Sequence, residues 1–489
     1  MSRFATEKGF ALLISVIVLA LFCLIGFYLA INAATVIRIS DNYEAEVHAR
    51  FAAYAGLDHA RAAFRGLSFD DQLRGPDGRY DDSTGYMNQA RSFPFRNPVD
   101  WSVAQALDIF DPRPDVGGTA DDGILNTGLY RSIPGTALIP ATGAALSAPG
   151  PEGSGGAVIA RYFVKITDNN GEPSERAGDP LDNPFIDGDG AILARSVGIA
   201  PSIRGHSAGA GRNNSVVVFE GRFRRLRAFD LDAPLVVQGI SARSSATLMF
   251  EGDAFLVQGG TGDPGIAVLD ADRSDGISPL SEIASQIAPG QEFCVQGQGP
   301  LPSLRDLTST LESDPSKALL LNKDFLWDFT RRRVKKLADS SFHGDQDWTM
   351  GNAPDLGFYD LSEPMNAPGQ RPRITLVDGN LAIGGSAAGA GLLVVTGKLS
   401  AVGPFAFTGL ALVAGAGELD APGAAWTLTG GVYIASVAPS GSSLNWGAVR
   451  LSLRGSGAVI FSRAAIRMAL ALIPPDQVGF REITSSLDP

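Results

Sequence analysis

The sequence contains very little cysteine and histidine. Its 489 residues include two cysteines, Cys23 and Cys294, which lie far apart in the chain. Such sparse cysteines exclude a disulfide framework, and a large fold does not need one. The four histidines do not have metal-ligand spacing, and the sequence has no His-Glu-x-x-His, P-loop or Gly-x-Ser-x-Gly motif. We therefore expect a protein that is not an enzyme. The histidines are His48, His59, His206 and His343.

Charge is also scarce. Only 19% of the residues are charged, the formal net charge is −12, and the 58 glycines have no three-residue period. This composition excludes a coiled coil and a collagen. Because the pI is near 4.9, the chain lacks the basic face of a general nucleic-acid binder, and no nucleic-acid partner is expected. The one basic cluster, residues 331–336, is interpreted as a solvated helix face, with contact to acidic partners as the alternative.

No charged residue occurs from Phe10 to Ile37. As a helix this run spans about 42 Å, and the hydrocarbon core of a membrane is about 30 Å thick. A cleavable secretory signal has an apolar core of only about 7–15 residues, so the run predicts a retained membrane anchor. Arg3 and Lys8 precede it, which by the positive-inside rule places the N-terminus in the cytoplasm and exports everything after residue 37.

The helical pattern continues beyond the membrane-spanning run. No proline occurs before Pro76, and charged residues occupy much of one helical face. This is the periodicity of an amphipathic helix, so we predict one helix from Phe10 to about Gly66, roughly 85 Å long. The apolar residues that recur at spacings of three and four are Val47, Phe51, Tyr54, Leu57, Ala60 and Phe64.

The first residues resemble a known processing signal. A short leader that ends in Lys8-Gly9, followed by Phe10 at the start of an apolar helix, resembles the class III signal of the type IV pilin superfamily. The resemblance implies that a prepilin peptidase removes residues 1–9 by cutting between Gly9 and Phe10. It also implies that Phe10 becomes N-methylated and that the helix stays in the mature chain. The alternative is an ordinary signal anchor that is not cleaved.

One position departs from the pattern of the major pilins. Most of them carry a glutamate as the fifth residue of the mature chain, where this sequence has Ile14. A carboxylate inside a membrane is expensive and normally functional, so its absence removes a specific assembly contact. Its absence is typical of PilX-like minor pilins and of the pseudopilin K of type II secretion, and residues 53–64 are similar to the helix of both groups. Residues 373–417 and the closing segment Val478 to Ile483 also resemble large PilX-like pilus assembly proteins.

The resemblance implies a structural subunit of a type IV pilus or a type II secretion filament. Such a subunit is inserted in the bacterial inner membrane with a cytoplasmic N-terminus, and is periplasmic or extracellular in the filament. Its partners are other pilin or pseudopilin subunits, which pack against the helix. Ile14 and the length of the chain favour a position at or near the tip, with a role in initiation, adhesion or cargo contact. The alternative is a membrane-anchored β-helix protein that binds carbohydrate or acts on polysaccharides.

Residues 67–200 are predicted to be irregular, with some β structure and acidic loops. Two predicted strands, Ala160 to Asp168 and Ala191 to Gly198, flank an acidic loop. Carboxylates on a flexible backbone suit Ca²⁺, so a calcium site is one hypothesis and a solvated turn-rich loop is the alternative. The candidate calcium ligands are Asp168, Asn170, Asp179, Asp182, Asp187 and Asp189.

The remaining chain is predicted to be rich in β structure. Residues 201–345 read as strands with two helices, near Leu304–Ser313 and Lys323–Ser340. In residues 346–463, similar apolar strands begin at Ile374, Leu392 and Leu410, at a constant spacing, and a looser copy begins at Val432. A fixed period of roughly 20 residues with glycine at the corners is typical of a β-solenoid, and a β-sandwich is the alternative. Residues 464–489 form a tail, and the predicted fold class is α+β.

Overall fold

The computed structural model describes residues 4–66, 69, 144–147, 158–168, 190–201, 214–238, 248–251, 254–270, 279–363, 369–423, 425–441 and 443–483. Its α-helices are α1 (Phe4–Ala63), α2 (Pro279–Gln286), α3 (Thr308–Ser313), α4 (Lys323–Asp328), α5 (Val334–Leu337) and α6 (Arg463–Ala471). A π-helical turn, Phe329–Arg333, joins α4 to α5.

The strands of the N-terminal half are β1 (Ala144–Ser147), β2 (Val158–Asp168), β3 (Ala191–Pro201), β4 (Asn214–Arg224), β5 (Leu235–Gln238), β6 (Leu248–Glu251), β7 (Leu256–Gln258), β8 (Ile266–Leu269), β9 (Val295–Gln296), β10 (Leu304–Asp306), β11 (Ser340–His343) and β12 (Gln346–Trp348). Those that follow are β13 (Gly357–Phe358), β14 (Arg371–Asp378), β15 (Leu381–Ile383), β16 (Ala387–Val395), β17 (Lys398–Ala401), β18 (Phe405–Gly415), β19 (Glu418–Ala421), β20 (Trp426–Ser440), β21 (Ser443–Trp446), β22 (Arg450–Arg454), β23 (Ala458–Phe461) and β24 (Asp476–Ile483).

The N-terminal helix is continuous, as the sequence predicted. Helix α1 has 60 residues, which at 1.5 Å per residue gives a length of about 90 Å. From Phe10 to Glu44 every described side chain is exposed except that of Asp41, which is half-buried. The second half of α1 packs on a five-stranded antiparallel sheet of order β1-β2-β3-β4-β24. The first half of the helix is therefore apolar and exposed, and the second half contributes to a hydrophobic core with the antiparallel sheet.

The packing face of α1 matches the predicted one only in part, since Leu57, Ala60 and Phe64 are buried as predicted. Phe51 was expected to face the core, but its side chain is 65% exposed, and Tyr54 is 44% exposed. At the closest contact with the sheet, opposite Gly198, the helix carries the small residues Ala49 and Ala53. The buried residues of this face are Ala45, Ala49, Ala52, Ala53, Leu57, Ala60 and Phe64.

The larger body contains two mainly parallel sheets. One has six strands in the order β12-β15-β17-β19-β22-β6, and the other follows the order β10-β8-β5-β20-β18-β16-β14-β11 with smaller branches. The predicted repeat appears in the strand register, since Ile374 lies opposite Leu392 and Leu392 lies opposite Leu410. The fourth copy is displaced by one residue from the prediction, because Leu410 lies opposite Gly431 and not Val432.

The chain enters the larger sheet at an inner strand, β5, and the six-stranded sheet at its terminal strand, β6. Strand β5 lies next to β20 and β6 lies next to β22, so the first strands of the body pair with its last ones. Strands β10 and β11 lie at opposite ends of the larger sheet's strand order, seven strand spacings apart. At about 4.8 Å per spacing, the helical segment between them covers about 34 Å along the sheet.

The larger sheet is buried on both faces. Along β16, Leu393 and Val395 face the six-stranded sheet, whereas Leu392 and Val394 pack in a second cluster with Ile466 of α6. Each strand of a parallel sheet that is covered on both faces has a continuous run of apolar residues in its sequence. This explains the repeated apolar motifs. The strands of the six-stranded sheet instead alternate between buried and half-buried residues.

Both predicted helices of the middle region begin or end differently from the prediction. Leu304–Asp306 is a strand because it pairs in parallel with Ile266–Val268, and the helix begins only at Thr308. The second helical segment ends at Leu337, and Ser340 already belongs to a strand. In both places, hydrogen bonds to a distant strand replace local helical ones.

Candidate functional site

The first half of α1 is an exposed, continuously apolar surface. This helix is long and apolar enough to span a membrane, and none of its most apolar stretch is buried. The Thr35 hydroxyl donates to the Ile31 carbonyl oxygen at 2.9 Å. Without a membrane or a partner, this half would expose a large continuous apolar surface to water.

The predicted processing residues lie in the first turns of α1. Lys8, Gly9 and Phe10 are all helical, so the backbone continues through the predicted cleavage point without a break. The Phe10 side chain is 65% exposed and that of Ile14 is 45% exposed. Ile14 offers no polar group to a neighbouring amine, so contacts at this position are limited to apolar packing.

The second half of α1 is fixed to the sheet by very close contacts. A Cβ added at Gly198 of β3 would lie 1.9 Å from the Ala49 carbonyl oxygen and 2.5 Å from the Ala53 nitrogen. A Cβ added at Gly56 would lie 2.0 Å from the Ser196 hydroxyl oxygen. The contacts at Gly198 are to backbone atoms, so the backbones of α1 and β3 are in near contact there, whereas at Gly56 the neighbouring atoms belong to side chains.

The C-terminal strand holds the same part of the helix. The Tyr54 ring lies 4.4 Å from the Phe219 ring and stacks on the Phe480 ring at 5.5 Å between centroids. The Arg50 guanidinium donates to both carboxylate oxygens of Glu482, at 2.8 and 3.1 Å. The hydrogen bond to Glu482 raises the pKa of Arg50 above its ordinary value. Strand β24 therefore clamps α1 against β4.

The role of β24 could not be read from the sequence. In the sequence, the segment Val478 to Ile483 is marked only by its resemblance to the closing segment of large PilX-like proteins. Its pairing with β4 and its contacts to α1 join distant parts of the chain, for which a single sequence carries no periodic signal.

The end of α1 is also tied to the larger body. The Gly66 amide donates at 2.8 Å to the carbonyl oxygen of Ala471, the last residue of α6. Arg65 forms an ion pair with Asp339 at 2.8 Å, and both side chains are partly exposed. The residues that follow α1 therefore contact α6 and the loop before β11 in the larger body.

Only one candidate calcium ligand lies in the described part of the chain. Asp168 is the last residue of β2 and its backbone pairs with Ile192 of β3, so the two predicted strands are confirmed. Asn170, Asp179, Asp182, Asp187 and Asp189 lie outside the described residues. Within the described ranges, no group of three or more His, Cys, Asp and Glu side chains could hold a metal ion.

Calcium binding therefore stays a prediction. A calcium titration of the full chain should raise its melting temperature, and the variants Asp187→Ala and Asp189→Ala should lose that response. An equal response of the variants and the wild type would contradict the hypothesis.

The histidines in the described part of the chain lie apart. The His59 Nδ1 is 2.9 Å from the Tyr162 hydroxyl, and burial lowers the pKa of His59. His343 lies 3.8 Å from Asp378, at the far end of the larger sheet. His48 is half-buried on α1, and His206 lies outside the described residues. These positions bring no two described histidines together as ligands or as catalytic partners.

Comparisons with protein-family models, with curated proteins and with solved structures find no match for this chain.

Proposed function

We propose that this chain is a minor pilin or pseudopilin-like structural subunit of a type IV pilus or a type II secretion filament. The subunit is processed between Gly9 and Phe10, is held in the bacterial inner membrane by residues 10–37, and carries its body outside the cytoplasm. It assembles by packing α1 against other subunits. The absence of a carboxylate at Ile14 and the large body support a position at or near the tip.

One observation carries this proposal. Helix α1 is uninterrupted: its first half is exposed, and one face of its second half packs in the core against the antiparallel sheet. Force or torque applied to the apolar half is therefore transmitted directly to the body, without a linker. A detachable signal would not need its helix to be built into the core of the protein it exports.

The apolar half supplies the association energy. Large apolar side chains are exposed along it, from Phe10 at 65% to Ile39 at 64%. Burial of one such side chain contributes about 1.5–3 kcal/mol, so a few of them are enough to stabilise a helix in a membrane or between neighbouring helices. The same surface can serve in both places, since both are apolar.

We also assign the body's two parallel sheets to a β-solenoid. The constant in-register offset between β14, β16 and β18, and the matching order of β15, β17 and β19, support one two-stranded coil per repeat. Gly391, Gly409 and Gly430 lie opposite one another in these strands, each with a positive φ. A rigid stack of this kind would present a wide surface away from the membrane.

The test is the chemistry of the mature N-terminus. The full chain is expressed together with a prepilin peptidase, purified in detergent, and analysed by mass spectrometry of the N-terminal peptide. The expected peptide begins with N-methylated Phe10. Gly9→Val should block cleavage and leave residues 1–9 in place.

The matched control is Gly26→Val. A Cβ at Gly26 would meet nothing within 4 Å, so this variant should be processed as the wild type is. An intact Met1 in the wild-type protein would refute the proposal in favour of an uncleaved signal anchor. Equal loss of cleavage in both variants would show that the peptidase does not recognise Gly9.

A further inference from the structure

A cleft with a volume of about 480 Å³ lies where α1 ends against the helical segment 323–337. Arg61 of α1 lines one wall, and Arg332, Arg333 and Lys336 line the other. Asp328 and Asp476 complete its charged lining. Four cations and two carboxylates leave the cleft with a formal charge of +2, in a chain whose net charge is −12.

The two carboxylates are already neutralised. Arg333 donates from both terminal nitrogens to Asp476, each at 2.9 Å, and Arg332 pairs with Asp328 at 3.3 Å. Within the described part of the chain, neither Arg61 nor Lys336 has an ion-pair partner. The excess positive charge of the cleft therefore resides on these two side chains, which come from opposite walls.

The backbone that carries the basic residues is held rigidly. The π-helical turn Phe329–Arg333 buries Phe329 and Thr330, and the Thr330 hydroxyl donates to the Leu326 carbonyl oxygen at 2.8 Å. π-Helical turns occur frequently at functional sites. The other wall is fixed by the contacts of Arg65 and Gly66 described above. The backbone of both walls is thus held in place before a ligand binds, and a ligand has to order only the exposed side chains of Arg61 and Lys336.

We propose that this cleft binds a soluble ligand carrying a multivalent oxyanion, of the phosphate- or sulfate-ester class. Guanidinium and ammonium groups on two walls can contact separate oxygens of such a group, and charge-assisted hydrogen bonds of this type are stronger than neutral ones. The volume suits a small molecule or one unit of an anionic glycan. Two unpaired cations in a pocket are too few for the extended basic surface that nucleic acid requires.

The position of the cleft favours a soluble source over a lipid headgroup. At 1.5 Å per residue, Arg61 lies about 36 Å along the helix from Ile37, the end of the apolar run. The surface potential of a membrane falls off with a Debye length of about 8 Å at physiological ionic strength, so anionic headgroups do not reach the cleft. This step rests on the membrane-anchor proposal, whereas the binding site itself does not.

The experiment is isothermal titration of pyrophosphate into the full-length chain in an uncharged detergent. We expect saturable binding that weakens as the salt concentration rises. Arg61→Gln and Lys336→Gln should each weaken binding about three- to tenfold, since each removes one charge-assisted contact. Neither side chain has a partner in the described structure, so both variants should keep the wild-type melting temperature.

The matched control is Lys335→Gln, which removes an equal charge from the same basic cluster but outside the cleft. It should change the affinity less than twofold. Absence of saturable binding, or an equal loss in the Lys335 variant, would overturn the proposal and leave only a solvated basic helix face. In nanodiscs, replacing phosphatidylcholine by phosphatidylglycerol should leave the pyrophosphate affinity unchanged. Competition by the anionic lipid would overturn the soluble source.

Discussion

Replacing Gly198 by alanine should separate α1 from its sheet. The new Cβ would lie 1.9 Å from the Ala49 carbonyl oxygen, whereas ordinary contacts begin near 3.4 Å, so the backbones must move apart by about 1.5 Å. A gap of even 0.5–1 Å forfeits about a quarter to a half of the dispersion energy of the atoms across it. Overpacking of this kind lowers the free energy of unfolding by about 1–3 kcal/mol. We expect a value near 3 kcal/mol, because the atoms in contact are backbone atoms, which cannot move aside by changing rotamer.

Hydrogen exchange of the full chain in detergent measures this loss where it occurs. Peptides covering residues 45–64 report the opening of the docked half of α1, and about 3 kcal/mol corresponds to roughly 100-fold faster exchange. Residues 374–413 in the parallel sheets should exchange as in the wild type, because they do not contact the substituted site. The expected pattern is therefore local and not a general loss of stability.

The control is Gly479→Ala in the same antiparallel sheet. Its added Cβ would lie 3.4 Å from the Arg222 Cβ, which is an ordinary contact, so exchange should stay close to wild type. Unchanged exchange in Gly198→Ala would refute the close contact between helix and sheet. So would an equal acceleration in the Gly479 variant, because the effect would then be independent of the distance to α1.

Three further predictions concern other parts of the fold. Gly409→Ala places a Cβ 2.0 Å from the Gly391 carbonyl oxygen of the neighbouring strand, at a φ of +143°. It should lower the melting temperature measured by calorimetry by at least about 4 °C. The control variant Gly262→Ala, whose Cβ lies in open space, should melt as the wild type does. A double-mutant cycle of Arg50→Ala and Glu482→Ala, measured by denaturant unfolding, should give a coupling free energy of about 0.5–1 kcal/mol. A coupling free energy of zero would contradict the ion pair. Burial lowers the pKa of His59 below its ordinary 6.5, so the unfolded chain binds the proton more readily than the folded chain. The protein should therefore lose stability as the pH falls below about 6.5. Melting temperatures measured across this pH range should fall less steeply for His59→Gln than for the wild type.

Part of the candidate site could be predicted from the sequence. The uncharged run, the position of Gly9 before Phe10 and the absence of a carboxylate at Ile14 are all local features, and no folding is needed to read them. The clamp around α1 could not be predicted in the same way. Phe51 looked like a core residue by its spacing, but Ala49 and Ala53 lie opposite Gly198 and the Phe51 side chain is exposed.

The basic cleft shows the same division. The cluster at residues 331–336 was visible in the sequence, and a solvated helix face was the simpler interpretation. The structure adds Arg61 from α1 and Asp476 from β24, which come from opposite ends of the chain, and thereby turns a charged helix face into a walled site. A run of like charges cannot reveal which distant wall it will face.

By itself, the sequence determined the elements whose signal repeats over a few residues. These are the continuous helix α1, the apolar strands that recur at a fixed interval, and the strands that flank the acidic loop. Periodicity depends on the local geometry of helices and strands, so it can be recognised in the sequence without knowledge of the fold.

Only the tertiary structure decided which elements meet. It placed β5 beside β20, β24 beside β4, and the alanine face of α1 against Gly198. Such pairings depend on the packing of surfaces that the chain brings together from distant positions. Their shape complementarity is a property of the assembled core and not of any single segment.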